Sequence, residues 1–516
     1  MYDHIFARSF SKNEQKRFGN CAYVICIFVV FGLCTTFRPS FHLSILNLKV
    51  PTSTVLDTVM LSTSQVEEEI GRKDGKLNLE PPSSSRVDYT KSRSWHAATL
   101  DEPPCVNHTS SSINGSEPLG KTARITPSIT RNDSFQLGNS LDCSFSEALS
   151  DYCNIKGVIR IHGHSSTIFT TNLNGNKSWI IKPYPRKGSD AMKSVREWMI
   201  KPVNSQDMPS CTTTHVDPAI LFSVGGYSGN LFHDFSDIII PLFTNSRIFS
   251  RKVNLLVTNN KSWWIPKFQR LLNQLSDHQV VDIDNENQIH CYQNMIIGLR
   301  SYKELGIDSS RSINGYSMKD FRHFLRSTYS LKRPEVIKLK PEDNRRPRLM
   351  IISRKSTRRL LNEASIMKMA QKIGYEVILA NITLTTNLLN FAHIVNSCDV
   401  FMGVHGAGLT NMVFLPDHAV VVQVVPLGGL EGIAKTDFGE PSKQMNLRYL
   451  KYSIRVKESS LSTQYAPDDV VLRDPTAIHK QGWNALRATY LIKQNLKLDV
   501  RRFRSTLLKA LKLLHR

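Results

Sequence analysis

The stretch FMGVHGAGLTNMVFLP, residues 401–416, interrupts an apolar run with three glycines and a histidine before apolar character returns. A strand-length apolar run that passes through a bare turn into helix-forming residues fits a strand buried on both faces of a parallel sheet, where side chains need not alternate. The pattern recurs as PAILFSVGG from Pro218, KVNLLVTN from Lys252 and HQVVDID from His278, and again as RPRLMIISRK, YEVILA and AVVVQVVP between residues 346 and 426. Helix-length segments such as RRLLNEASIMKMAQKIG lie between these runs. Strands alternating with helices at this spacing predict an α/β chain with two parallel, doubly wound sheets. The polar LKRPEVIKLKPEDNRRPR separates the two sets, so the halves are expected at 137–340 and 341–516. Ligands of open α/β sheets bind beyond the carboxyl ends of the strands, which places the expected site in a cleft between the halves.

The amino-terminal region sets the compartment. FGNCAYVICIFVVFGLCTTF, residues 18–37, carries no charge and has about the 20 residues that cross a bilayer as a helix. Arg8, Lys12, Lys16 and Arg17 precede it, so residues 1–17 are expected to stay cytoplasmic and the remainder to be lumenal. The run is long for a cleaved signal peptide, and no small-x-small cleavage site follows it. Residues 38–136 are rich in Ser, Thr, Pro and charge and read as a flexible stem. Sequons at Asn107, Asn114, Asn132, Asn176, Asn260 and Asn381 fit a lumenal location. So do the six cysteines outside the apolar run, of which Cys143 and Cys153 form the expected local pair. The formal charge of +22 raises the question of a nucleic-acid partner. The basic residues are dispersed, no zinc-finger or RNA-binding aromatic signature accompanies them, and a lumenal compartment excludes that partner.

Three stretches carry candidate chemistry. In the turn His405-Gly406-Ala407-Gly408, with a helix expected to begin near Gly408, exposed backbone N–H groups and the helix dipole favour an anion. Arg354, just past a predicted strand on the same sheet edge, suits a bidentate clamp on a diphosphate. Arg358 is a second candidate cation, whereas Lys355 and Arg359 read as a solvated helix face. In GGYSGNLFHDFSDIIIPLF, residues 225–243, a helix from about Gly229 would align Asn230, His233 and Asp237 on one face, a candidate general base with orienting partners. GGYSGN fails as a hydrolase elbow because Asn230 stands where the last glycine belongs. Asp282-Ile283-Asp284 has the form of a metal-binding Asp-x-Asp, but a polar strand end accounts for it. The basic tail 487–516 places Phe503, Leu507, Leu508, Leu511 and Leu514 at helical spacing and predicts a terminal packed helix.

FSVGGYSGNLFHDFSDIIIPLF, IISRKSTRRLLNE and CDVFMGVHGAGLTNMVFLP together resemble glycosyltransferase family 61. YLKYSIRVKESSL and LRDPTAIHKQGW are similar to its plant xylan-modifying branch. The resemblance implies a GT-B architecture of two Rossmann-like domains and an inverting, metal-independent transferase without a cofactor. It also implies a single-pass type II anchor in the Golgi membrane. Ser353, Arg354, Arg358 and the turn His405, Gly406, Ala407, Gly408 would then hold the diphosphate of a UDP-sugar. Asp237 would match the acidic position of the catalytic base, with His233 and Asn230 supporting it. The branch implies transfer of arabinofuranose or xylose to xylan or another glycan. PLGGLEG, residues 426–432, departs from the branch pattern of an aromatic residue after the proline, which leaves the donor sugar open. The alternatives are an N-glycan β-1,2-xylosyltransferase and a catalytically inactive, membrane-tethered glycan-binding protein.

Overall fold

A computed structural model describes residues 140–515 except 172–176, 341, 343, 384 and 385. The expected tail, anchor 18–37 and stem, together with Cys105 and the sequons at Asn107, Asn114, Asn132 and Asn176, lie outside the described residues. Among the described residues no helix is long and apolar enough to cross a membrane.

Ten strands form a first sheet: β1 (Ser140–Ser144), β2 (Tyr152–His162), β3 (Thr167–Thr170), β4 (Trp179–Ile181), β5 (Trp198–Pro202), β6 (Thr213–Thr214), β7 (Ala219–Ser223), β8 (Asn254–Thr258), β9 (Val281–Asp282) and β10 (Ile289–Ile297). Their order is β4-β5-β3-β2-β10-β7-β8-β9, with β1 beside β2 and β6 beside β10. Strands β7, β8, β9 and β10 run parallel, as the apolar runs predict. The expectation of a purely parallel sheet fails here, because β2 pairs antiparallel with β1, β3 and β10, and β4 with β5. The reason lies in β2, where exposed Lys156 and Val158 alternate with buried Ile155, Gly157 and Ile159. One covered and one wet face is the condition that antiparallel pairing tolerates. Disulfides join Cys143 of β1 to Cys153 of β2, as expected, and Cys211 to Cys291 of β10.

The second sheet contains β11 (Arg348–Ser353), β12 (Glu376–Asn381), β13 (Val400–Val404), β14 (Val420–Val425) and β15 (Arg448–Ser453). It is parallel throughout in the order β12-β11-β13-β14-β15. The helix expected from Arg358 begins only at Glu363, and Lys355 and Arg359 are exposed in the preceding loop. The terminal helix Val500–Leu514 buries Phe503, Leu507, Ala510 and Leu514 and packs Phe503 edge-on against Tyr452.

One apolar core is continuous across both sheets, with Phe235 against Phe414 at 5.9 Å between ring centroids. Arg322, on the helix Met318–Tyr329, is buried and bonds Asp417 at 2.7 Å together with the carbonyls of Val413, Leu415 and Met445.

Each sheet sends one strand into a helix of the same unusual build. After β7 the helix runs Leu231–His233, widens into a π turn at Asp234–Ile239 and resumes at Ile240–Ser246. After β14 it runs Glu431–Ala434, a π turn at Lys435–Gly439, then Glu440–Gln444. Both π turns precede a proline, Pro241 and Pro441, standing four residues after Asp237 and Asp437. Proline has no N–H for the carbonyl four residues back and its ring crowds that carbonyl. The wider turn relieves the crowding, and Ile240 and Glu440 instead bond the carbonyls of Phe235 and Lys435.

Candidate active site

The first wall is built on the β7 helix. Asn230 does not join the other two predicted residues: its side chain caps the helix, accepting from the Phe232 N–H at 3.0 Å. His233 and Asp237 do meet, with Nδ1 and Oδ2 2.8 Å apart. Asp237 is 2 % exposed. Its Oδ2 also accepts from the Tyr184 hydroxyl at 2.7 Å, and its Oδ1 from Arg186 Nε at 3.0 Å and Nη2 at 2.7 Å. The other edge of Arg186 grips Glu304 through two bonds of 2.6 Å. Burial pushes the Asp237 carboxyl up, but Arg186 and then His233 outweigh it and hold the group at about 2. Asp237 is therefore a saturated carboxylate that fixes the His233 ring.

The opposing wall is built on the second sheet. His405 directly follows β13, and Gly406 precedes a 3-10 helix, Ala407–Phe414, that begins one residue before the expected start. Gly406 has φ +144°, and a Cβ there would stand 2.9 Å from Arg354 Nη1 and 3.2 Å from Arg358 Nη1. Both guanidinium groups thus close on a bare backbone that only glycine supplies. Arg358 Nη1 donates to the His405 carbonyl at 2.7 Å, and Arg354 Nε to the Thr357 carbonyl at 2.8 Å. Among the described residues neither arginine has a carboxylate within 4.0 Å. Burial lowers Arg354 to about 10. Burial, Arg354 and Arg487 lower Arg358 well below its ordinary range. A pair of crowded cations with no carboxylate partner among the described residues suits an anion. Ser353 is buried at the end of β11, and Gly408 packs against Ile352.

The His405 ring is engaged with Gln423. Tyr449 donates to Gln423 Oε1 at 2.6 Å, so the Gln423 amide nitrogen faces His405 Nδ1 at 2.9 Å and the histidine proton is assigned to Nε2. Burial, reinforced by Arg358 and Arg354, depresses His405 to about 3 and keeps the ring neutral. The two walls touch through Phe232 and Phe438, whose centroids are 5.5 Å apart, with His233 beside Phe232 and His405 beside Phe438.

Asp284 of the Asp-x-Asp accepts from Thr258 Oγ1 at 2.6 Å and the Asn259 N–H at 2.7 Å, and Asp282 from Asn260 and Asn285. Both close the loops beside β8 and β9. The Asn260 amide is thereby engaged, whereas Asn381 is exposed. Sequence reasoning missed Tyr184, Arg186 and Glu304, which lie in segments without periodicity, and Asp437. For Asp437 a signal existed: DIIIP and DFGEP share the aspartate-to-proline spacing.

The helix that carries His233 packs against the 3-10 helix that follows the Arg354, Arg358 and Gly406 cluster. The profile described as Glycosyltransferase 61 matches residues 231–422. Alpha-1,3-arabinosyltransferase XAT3 of Oryza sativa subsp. japonica is 44% identical over 380 residues, covering 73% of this chain and 66% of that protein. Beta-1,2-xylosyltransferase XYXT1 of the same organism is 43% identical over 394 residues, covering 72% and 84%. Xylan glycosyltransferase MUCI21 of Arabidopsis thaliana is 35% identical over 398 residues, covering 73% and 80%. The chain belongs to glycosyltransferase family 61. It spans 66% of the length of XAT3 and 64% of XAT2.

Proposed function

We propose that this chain moves a pentose, arabinofuranose or xylose, from a UDP-sugar to xylan, with inversion and without a metal. The observation that carries the reading is the convergence of Arg354 and Arg358 on Gly406 with no carboxylate among the described residues within 4.0 Å of either, beside the His233–Asp237 pair. The relatives named above, acting by their names as arabinosyl-, xylosyl- and xylan glycosyltransferases, support the sugar and acceptor classes. In this reading the two sheets correspond to the Rossmann-like halves of a GT-B enzyme, 137–340 and 341–516, held in the Golgi lumen by the 18–37 anchor.

The geometry favours an exchange of roles between the predicted base and its neighbour. Asp237 already accepts four hydrogen bonds and is held at about 2, which makes it a weak proton acceptor near neutrality. With Nδ1 turned to Asp237, His233 presents Nε2 as its proton-accepting nitrogen. His233 Nε2 takes the proton of a xylose hydroxyl as that oxygen bonds the anomeric carbon of the donor. The bond from that carbon to the diphosphate oxygen breaks, and its electron pair leaves with UDP. Arg354, Arg358 and the first N–H groups of the Ala407 helix stabilise the departing charge.

The test is incubation of the lumenal protein with UDP-arabinofuranose or UDP-xylose, xylooligosaccharides and EDTA. A lengthened oligosaccharide and stoichiometric UDP are expected. Transfer abolished by EDTA and restored by manganese would overturn the metal-free reading, and absence of UDP binding would overturn the donor assignment.

A further inference from the structure

The unassigned partner of His405 lies on the second π turn. His405 is fully buried, and its Nε2 has no hydrogen-bond partner among the described residues. That nitrogen stands 3.9 Å from Asp437 Oδ2, too far for a direct bond. An oxygen about 2.8 Å from each would subtend an angle of about 90° between them, a comfortable geometry for one hydroxyl. The hydroxyl would accept from His405 Nε2–H and share its own proton with Asp437.

The surroundings select the chemistry. Glu304 stands close enough to Asp437 to act on it electrostatically, which repels a phosphate. Arg354 and Arg358 flank His405 and repel a cation. A neutral group that both accepts and donates remains. The position selects the part of the donor. His405 adjoins Gly406, where the diphosphate cradle closes, and Phe438 beside Asp437 leads through Phe232 to His233. The gap therefore lies between the leaving-group site and the base, where the transferred sugar sits.

We propose that His405 Nε2 and Asp437 Oδ2 together bind a hydroxyl of the transferred sugar and so set donor-sugar specificity. The assignment rests on the UDP-sugar reading above. Burial and the Glu304 carboxylate, opposed by Arg186, hold Asp437 well above the usual carboxylate range, which suits a group that meets a neutral hydroxyl.

The experiment compares Asp437→Ala and the isosteric Asp437→Asn with the parent enzyme. UDP affinity is measured by calorimetry, and KM and kcat with UDP-xylose, UDP-arabinofuranose and singly deoxygenated UDP-xylose analogues. Asp437→Ala is expected to raise KM for the preferred UDP-pentose about 10- to 100-fold, since a polar site punishes loss of its hydroxyl partner. UDP affinity is expected to stay within about twofold, because the cradle is untouched. One deoxy analogue should be a poor donor for the parent and no poorer for Asp437→Ala, which identifies the hydroxyl. Equal weakening of UDP and UDP-sugar would overturn the proposal by placing Asp437 on the nucleoside or in the scaffold. Unchanged KM in both variants would overturn it by removing the contact. Failure of the parent to bind UDP would overturn the donor reading and this proposal with it.

Discussion

Two helices in this molecule share one design and end with opposite chemistry. The helices after β7 and after β14 each open into a π turn, and each places an aspartate four residues before a proline. Asp237 meets Arg186, Tyr184 and His233 and is held at about 2. Among the described residues Asp437 meets no Lys or Arg at bonding distance; it stands near Glu304 and is held well above the ordinary range. The backbone device is the same, so the neighbours decide whether a buried carboxylate orients another residue or faces a ligand. Separating the ionisation of two related acids in this way is a common means of dividing their roles.

The sharpest way to break this comparison is to remove the dyad. His233→Gln should lower turnover by about 10²- to 10⁴-fold with UDP affinity nearly unchanged, as calorimetry beside a transfer assay would reveal. Near-normal transfer by the folded variant would return the base to Asp237. Next in size is the cradle. Arg354→Ala or Arg358→Ala should weaken UDP binding by roughly 10- to 100-fold, because a charge-assisted clamp is lost. Retained UDP affinity in both would move the diphosphate elsewhere.

Stability should then separate the two aspartates. Asp237→Asn removes the carboxylate from a buried Arg186 that keeps Glu304 and should cost about 2–4 kcal/mol in chemical denaturation, near the range for a broken buried pair. Its depressed folded pKa makes the contribution complete above the unfolded value of about 3.9 and lost as pH falls through about 2. The variant should therefore show a flatter acid limb. Asp437 has the opposite sign, since a raised folded pKa gives stability that falls as pH rises above about 3.9. Asp437→Asn should be neutral or slightly stabilising at pH 7, and a large loss there would contradict the contrast. A purely structural effect is expected at Asp284. Asp284→Ala removes loop bonds from Thr258 and the Asn259 N–H and an ion pair to Arg196 and should cost about 1–3 kcal/mol without changing manganese response.

The sequence foretells β11, β13 and β14 because these strands are buried on both faces and read as near-continuous apolar runs, Val420–Val425 above all, whereas the edge strand β15 alternates and gives no such run. It also marks Arg354, Arg358, His405 and Gly406, since they stand in the turns that directly follow two adjacent apolar strand runs, β11 and β13. The antiparallel wing escapes because β2 alternates and β1, β3 and β4 are short. Arg186 escapes for a different reason: it reaches Asp237 across 51 residues and Glu304 across 118, from coil that carries no periodic signal. Asn230 is misassigned because helical spacing cannot distinguish a side chain on a helix face from one that caps its first turn.

Arg322 sets how this enzyme can move. Its guanidinium is anchored in Asp417 and in carbonyls on both sides of the second sheet's loops, and burial lowers it to about 10 despite Asp417. Drawing the helix Met318–Tyr329 off the second sheet would strip those acceptors from a buried cation, at a cost of about 3–5 kcal/mol. Gly226, Gly229, Gly428 and Gly429 hold positive-φ backbone in the turns at 225–230 and 426–430, and under the proposed function these turns, rather than lobe motion, would admit the donor and release UDP. Solvent viscosity and local amide exchange at those turns, rather than a change in molecular envelope, should track the rate of product release.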